Sequence, residues 1–374
     1  MAVAFGQLFS EQVERALVAG PRVSAMTLPA TWQVFEPAHP FPDRVSVEAG
    51  ERALRLARQS RDRWLAVLLS GGASSMLCAP AAGVTLEDKM AASKALMDAG
   101  VAIDAVNCVR KHLSAIKGGQ LAAAAGRSLT LAISDVHHPI ADDPSVIGSG
   151  PTVADSTTFG AALKIAAGAA GVPASVIRRL ESGAAGELNE TVKPGDLRLA
   201  RAGVLVIGNR QTALDGAARR AAAIGYRVTV IDDVTQGDAR EAAGLLLARA
   251  EQVSRGSARP LCVLAAGETT VRVVGSGKGG RSQELALAAS PHLRSFGTAA
   301  VLASAGTDGR DGPTDAAGAI ADSTTIERAK RAGLNWEQAL AGNDTYPFFA
   351  ALGDLIISGP TGTNVGDVQV LLIA

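Results

Sequence analysis

The residues best suited to chemistry lie in short glycine-rich stretches that follow apolar runs. Ser70-Gly71-Gly72-Ala73-Ser74-Ser75 closes the run WLAVLLS. Its two glycines let backbone N–H groups turn toward an anion, and Ser70, Ser74 and Ser75 add hydroxyl donors. A plain tight turn with a capping serine fits the same string. Arg110-Lys111, with Lys117-Gly118-Gly119 beyond it, offers two adjacent cations that would clamp a carboxylate or phosphate, or merely complement a helix C-terminus. Asp135 ends the run LTLAIS and opens a long polar stretch that contains Ser149 and Gly150. Long loops inside compact domains tend to be functional. His137 and His138 stand beside Asp142 and Asp143, with no spacing that fixes a metal site, and read as solvent-exposed.

The second half is richer. Glu268 follows the run LCVLAA, and Gly275-Ser276-Gly277-Lys278-Gly279-Gly280-Arg281-Ser282-Gln283-Glu284 follows Thr269 to Val274. The string formally contains GxGxxG, which alone is weak evidence for a dinucleotide fold. No acidic residue stands about 20 positions on, where a ribose partner belongs. Lys278 and Arg281 among glycines suit contact with phosphoryl oxygens, Arg281 by holding two at once. A flexible basic loop is the plainer alternative. Asp308, Asp311 and Asp315 follow the run Ala299 to Ser304 and suit either a hydrated Mg²⁺ or turns closed on their own backbone. Gly359 to Asn364, ending in Thr363 and Asn364, precedes the last apolar run, which starts at Asp367. Asn209 closes the run VLVI.

These loops need a scaffold of strands. Short apolar runs at 64–70, 129–134, 204–207, 226–231, 261–266, 299–304 and 368–373 alternate with helical periodicity at 86–116, 157–170, 212–224, 238–255 and from Ser282. The 86–116 stretch is expected to break near Asn107 or Cys108, and 261–274 is expected to form a hairpin. Runs that are apolar throughout argue for an α/β fold of two domains, with mostly parallel sheets flanked by helices. A soft boundary falls near residue 200. A helix at Met1 has no N-cap residue before it.

Composition sets the class. The 374 residues give a prior of two to three domains. Lys+Arg and Asp+Glu both number 36, so a nucleic-acid or anionic-membrane partner is a poor first guess. Cys78, Cys108 and Cys262 lie far apart without CxxC spacing, which argues against a disulfide framework and a zinc site. No signal peptide and no membrane-spanning run is found. A cytoplasmic enzyme that handles a phosphorylated small molecule is the expectation.

SGGASS (70–75), RKHLSAIKGGQLA (110–122), SDV (134–136), IGSGPT (147–152), GETTVRVVGSGKGGRSQELAL (267–287), SAGTDGRDGPTDAAGA (304–319) and GPTGTNVGDVQVLL (359–372) resemble the type II glycerate kinase family, whose second domain is called MOFRL. The resemblance runs from about residue 36 to the end. It implies a Rossmann-like kinase domain over 1–200 and a MOFRL domain over 201–374, with the active site in the cleft between them. It implies ATP- and Mg-dependent phosphorylation of D-glycerate to 2-phosphoglycerate. Arg281, Asp135, Glu268 and Asp308 would be catalytic, and Arg281→Ala would lower kcat far more than stability. Ser70, Gly71, Gly72, Ser74, Ser75, Arg110, Lys111, Ser149, Gly150, Asn209, Lys278, Gly280, Gln283, Thr363 and Asn364 would bind substrate or nucleotide. Asp308 and Asp311 would be the metal candidates. A homodimer is left open.

Two departures stand out. Family members begin with an extra strand and a Gly-Lys-Ala turn whose lysine is thought to act in catalysis, and this chain starts inside the helix that follows, as if truncated. His137-His138 stands where smaller residues are expected. Members often carry the label hydroxypyruvate reductase. The alternatives are therefore an NAD(P)-dependent reductase, which a hairpin at 261–274 would count against, and an inactive glycerate- or nucleotide-binding remnant.

Overall fold

The structure, a computed structural model, describes residues 1–20, 28–296 and 299–374. The chain divides into two compact units. One holds Met1–Val136 and Asp142–Ile207, the other His137–Ala141 and Gly208–Ala374.

The first unit carries, in chain order, α1 (Ala2–Phe9), β1 (Leu17–Ala19), β2 (Gln33–Phe35), α2 (Arg44–Gln59), β3 (Leu65–Leu69), α3 (Ala73–Met76), α4 (Leu86–Asp98), α5 (Ile103–His112), α6 (Gln120–Ala125), β4 (Ser128–Ile133), α7 (Phe159–Ala167), α8 (Ala174–Ala184) and β5 (Ala202–Gly208). Its main sheet runs β3-β4-β5, with β3 and β4 parallel and Leu69 opposite Ala132. That register brings the loops after β3 and β4 to the same edge. The helices α4, α5, α7 and α8 bury a shared core around Leu96, Val109, Leu113, Phe159 and Leu180. Each such side chain, fully buried, contributes roughly 1.5–3 kcal/mol. The expected break at Asn107 or Cys108 lies elsewhere. The helix ends at Asp98 with Ala99 as its C-cap, Gly100 turns the chain at φ +70°, and Asn107 and Cys108 sit buried inside α5. A left-handed glycine just past the last turn is a stronger stop than a polar residue within one.

The second unit carries α9 (Arg210–Ala223), β6 (Arg227–Val230), β7 (Thr235–Asp238), α10 (Ala239–Ser254), β8 (Leu261–Thr270), α11 (Arg281–Ala289), β9 (Ala300–Gly306), β10 (Gly318–Asp322), α12 (Thr325–Arg331), α13 (Trp336–Ala341), α14 (Thr345–Leu352), β11 (Leu355–Ile356) and β12 (Asp367–Ile373). The sheet order is β11-β10-β9-β12-β8-β6, with β7 also on β8. Both faces are covered. Leu261, Val263 and Ala265 of β8 pack with α10, α11 and α14, while Cys262, Leu264 and Ala266 pack with Leu214 and Ala221 of α9. That is why the run LCVLAA is apolar at every position. Helix-flanked α/β architecture is as expected. Within this sheet β6 and β7 run parallel to β8, and β12 is antiparallel to both β8 and β9.

The hairpin expected over 261–274 is not formed. Strand β8 runs straight through Gly267 to Thr270, and no strand covers 271–280. Gly267 marks a close approach of backbones and not a turn: a Cβ there would lie 2.1 Å from the Thr235 carbonyl oxygen of β7. The GSGKGG string therefore joins a strand to a helix, and β8–α11–β9 is a crossover split by β12. The hairpin argument against a dinucleotide site falls away.

Candidate active site

In α/β sheets, ligands gather beyond the carboxyl ends of parallel strands. Each unit has one such cluster.

In the first unit the loop after β3 turns at Gly72, which has φ +79° and leads into α3. Ser75 Oγ donates to the Gly72 carbonyl at 3.0 Å, and the Ala73 N–H donates to the Ser70 carbonyl at 3.3 Å. Gly71 lies against Asp135: a Cβ at Gly71 would fall 2.3 Å from Asp135 Oδ2. The structure thus joins Gly71 of SGGASS to Asp135 of SDV. Ser74 meets Ser149, their hydroxyls 3.1 Å apart, and Ser149 Oγ donates to Asn107 Oδ1 at 3.3 Å.

A residue outside the expected set organises this cluster. Lys117 is 1% exposed. Its Nζ donates to the Ser74 carbonyl at 3.0 Å, to Ser74 Oγ at 2.6 Å and to the Gly148 carbonyl at 3.1 Å. The next two residues continue the contact: the Gly118 N–H donates to the Ser149 carbonyl at 3.3 Å and the Gly119 N–H to the Gly150 carbonyl at 2.8 Å. Gly148, Ser149 and Gly150 all have left-handed φ, at 59°, 62° and 60°. Non-glycine residues resist that region, and consecutive ones are rare. Burial above all, then the nearby charge of Lys89, pushes the Lys117 ammonium well below its ordinary value, with Cys78 opposing and Arg110 and Lys111 adding smaller contributions.

Arg110 and Lys111 do not form the paired clamp suggested by their adjacency. Lys111 is buried in an ion pair with Asp155 at 3.3 Å, while Arg110 reaches Ser93 Oγ at 3.3 Å on α4. Neighbours on a helix point about 100° apart. Asp155 also accepts from Thr157 and Thr191.

In the second unit Arg281 is the centre. It is the first residue of α11, and its Nε and Nη2 donate to both oxygens of Asp367 at 2.7 and 2.9 Å. Its Nη1 donates to Glu268 Oε1 at 2.7 Å. The sheet register explains the meeting point, because Asp367 begins β12 opposite Gly267 of β8 and Gly306 of β9. Asp367 is 1% exposed at the side chain and Arg281 30%. Burial alone would lower the guanidinium pKa, but Asp367 and Glu268 hold it above its usual value. A guanidinium has five N–H groups. Three are engaged among the described residues, which leaves two for a ligand.

Other expected residues serve local structure. Asp311 accepts from the N–H groups of Ser282 and Gln283 at 3.0 and 2.8 Å, closing the N-terminus of α11. Burial pushes its carboxyl up to about 6 in spite of those two bonds, with the Asp367 charge adding to the rise. A Cβ at Gly280 would lie 2.3 Å from Asp311 Cγ. Both Asp311 oxygens are thus engaged by the start of α11. Asp308 Oδ1 accepts from the Arg310 N–H at 2.9 Å, which leaves Oδ2. Asn209 caps α9 through Thr212. Gln283 is buried with its Nε2 on Thr314. Asn364 Oδ1 accepts from the Gly366 N–H at 3.0 Å, and the Thr363 N–H reaches Thr361 Oγ1 at 3.4 Å. His137 is not solvent-exposed as expected; it packs against Gly366, where a Cβ would lie 2.4 Å from its Nε2.

The GSGKGG loop is held and not loose. Asn343 Oδ1 accepts from the N–H groups of Val274 and Gly275 at 2.8 and 2.9 Å, and its Nδ2 donates to Glu284 Oε1 at 2.6 Å. The Lys278 N–H donates to Asp344 Oδ1, and Lys278 Nζ lies 4.1 Å from the centre of the Tyr346 ring. Asn343, Asp367 and Lys117 are the functional candidates that sequence reasoning left out.

The Gly-rich strand–helix junction of the second unit, with an arginine at its helix start, and the serine–glycine loop of the first unit are each of a kind suited to phosphoryl oxygens. Residues 1–181 match the family described as Domain of unknown function (DUF4147), and residues 261–367 match the MOFRL family. A D-glycerate 2-kinase of Thermotoga maritima is 38% identical over 91% of this chain and 80% of its own length. A glycerate 2-kinase of Pyrococcus horikoshii is 34% identical over 91% and 78%. An Agrobacterium vitis protein with a provisional hydroxypyruvate reductase name is 40% identical over 91% and 77%. The crystal structure of a Thermotoga maritima glycerate kinase superposes with a TM-score of 0.89 at 36% identity, covering 100% of this chain and 88% of that one. The chain belongs to the type II glycerate kinase family.

Proposed function

We propose that the protein transfers the γ-phosphoryl group of ATP to D-glycerate, giving 2-phosphoglycerate. Likeness to glycerate kinases over 91% of this chain carries this reading, and the geometry of Arg281 supports it. Phosphoryl transfer asks for positioned positive charge more than covalent chemistry. Arg281 offers two free N–H groups from a guanidinium fixed by Asp367 and Glu268.

Magnesium fits in one way only. The described residues show no group of three or more His, Cys, Asp or Glu able to hold a metal ion. Mg²⁺ usually keeps its waters and binds through one or two carboxylates plus phosphate oxygens. Asp308 is the carboxylate suited to that role, and the ion would offset the negative charge of Glu268 and Asp367 toward a polyphosphate.

The reductase reading gains a strand–glycine loop–helix junction at β8–α11. It loses the anchor that such folds need, since the helix N-terminus where a pyrophosphate would sit holds the Asp311 carboxylate. The product decides between the hydroxyls: ³¹P and ¹³C NMR after incubation with D-glycerate, ATP and Mg²⁺ should show a phosphorylated C2. Phosphorus at C3 would refute the 2-kinase assignment.

A further inference from the structure

We propose that Lys117-Gly118-Gly119 is a clasp that holds the SGGASS loop and the Gly148-Ser149-Gly150 turn in their working geometry, with Lys117 as a positioning residue for the phosphotransfer proposed above. The inference rests on that reading for its kinetic part only.

The pairing is one for one. Lys117 Nζ, Gly118 N–H and Gly119 N–H take the carbonyls of Gly148, Ser149 and Gly150 in turn. Those three residues form a left-handed stretch that includes a serine, a conformation that persists only where surrounding structure over-determines it. The same ammonium reaches across to Ser74, bonding its carbonyl and its hydroxyl. Two loops from different strand ends are thus fixed by one side chain. Every donor of the ammonium has an acceptor, although no carboxylate is among them. A lysine held by carbonyls and hydroxyls, with other cations near, is poorly placed for charge pairing and well placed for geometry.

The two glycines of the clasp are themselves closely packed. A Cβ at Gly118 would lie 3.2 Å from the Thr191 side chain, and one at Gly119 would lie 2.9 Å from the Val153 carbonyl oxygen. The glycines let residues 118 and 119 present their N–H groups to the turn. Lys117 makes no demand on the substrate's chemistry; it sets where Ser74 and Ser149 stand. Misplacing such groups by about 1 Å costs on the order of 10²-fold in rate.

Lys117→Met keeps the stem and removes the donors. Backbone hydrogen exchange should rise at least tenfold in residues 70–77 and 147–152, with β8, β9 and β12 unchanged. In D-glycerate-dependent ADP release, kcat should fall about 10²-fold while KM for ATP moves less than about threefold. Unchanged exchange in both loops would overturn the clasp. Equal acceleration throughout the unit would reduce Lys117 to general stability and overturn it as well. Ser74→Ala serves where Lys117→Met does not fold: exchange should then rise in 70–77 alone, and no local rise would count against the proposal. If the wild-type chain releases no ADP, the kinase reading fails, and the exchange data still decide the clasp.

Discussion

Replacing Arg281 with alanine should damage stability as well as turnover, contrary to what the sequence suggests. Asp367 is 1% exposed and receives two of the three Arg281 bonds. Removing the guanidinium leaves a buried carboxylate without its partner, a loss of about 3–5 kcal/mol. At roughly 2–4 °C per kcal/mol, Tm should fall by about 10 °C at pH 8. Burial already raises the Asp367 carboxyl above its ordinary value, and losing Arg281 raises it further. A raised carboxyl gives stability that is fully present below its unfolded value and lost as pH rises through the folded one. The deficit of Arg281→Ala should therefore shrink as pH falls toward 5. Adding Asp367→Asn removes the buried charge and should restore most of the stability at pH 8 without restoring ADP release. Urea titrations of wild type, both single variants and the double variant at pH 5 and 8, alongside kcat, make the cycle. An Arg281→Ala protein within about 1 kcal/mol of wild type at pH 8 would refute the reasoning.

Gly71→Ala sets a Cβ 2.3 Å from Asp135 Oδ2, so kcat/KM should fall about 10²-fold with Tm lowered by only a few degrees; unimpaired turnover would remove Asp135 from the site. Asp311, raised from 3.8 to about 6, should cost the folded protein roughly 2–3 kcal/mol as pH climbs from 4 to 7. Asp311→Asn should flatten that part of the urea-midpoint profile, and a profile identical to wild type would contradict the burial argument. Asn343→Ala loses both loop N–H acceptances and the Glu284 bond at a φ of 53°, which should cost about 2–4 kcal/mol and speed exchange at 274–278; Asn343→Gly should recover only the backbone part.

Much of the scaffold was legible because strands buried on both faces leave short, wholly apolar runs. LCVLAA shows this at every residue, since alternate side chains face α9 on one side and α10, α11 and α14 on the other. The hairpin was misread because a glycine inside a strand looks like a turn; the backbone of β7 pressing on Gly267 is a tertiary cause with no local trace. Arg281 stood out as a cation among glycines. Its dependence on Asp367 did not, because the two meet only through the register of β12 against β8. Lys117 was passed over as a cation beyond a helix. The available signal was the pair of glycines after it and the matching Gly-Ser-Gly at 148–150, whose shared need for left-handed backbone points to a close fit. Asp311 and Asn209 look like ligands in a string and are helix caps in the fold, a confusion built into residues that serve both purposes.

The most direct test of the central claim is ADP release from the 374-residue chain with D-glycerate, ATP and Mg²⁺, run beside NADH and NADPH oxidation with hydroxypyruvate. The account predicts glycerate-dependent ADP release and no hydroxypyruvate-dependent oxidation of either nicotinamide. Oxidation of NADH or NADPH without any ADP release would contradict it and restore the reductase.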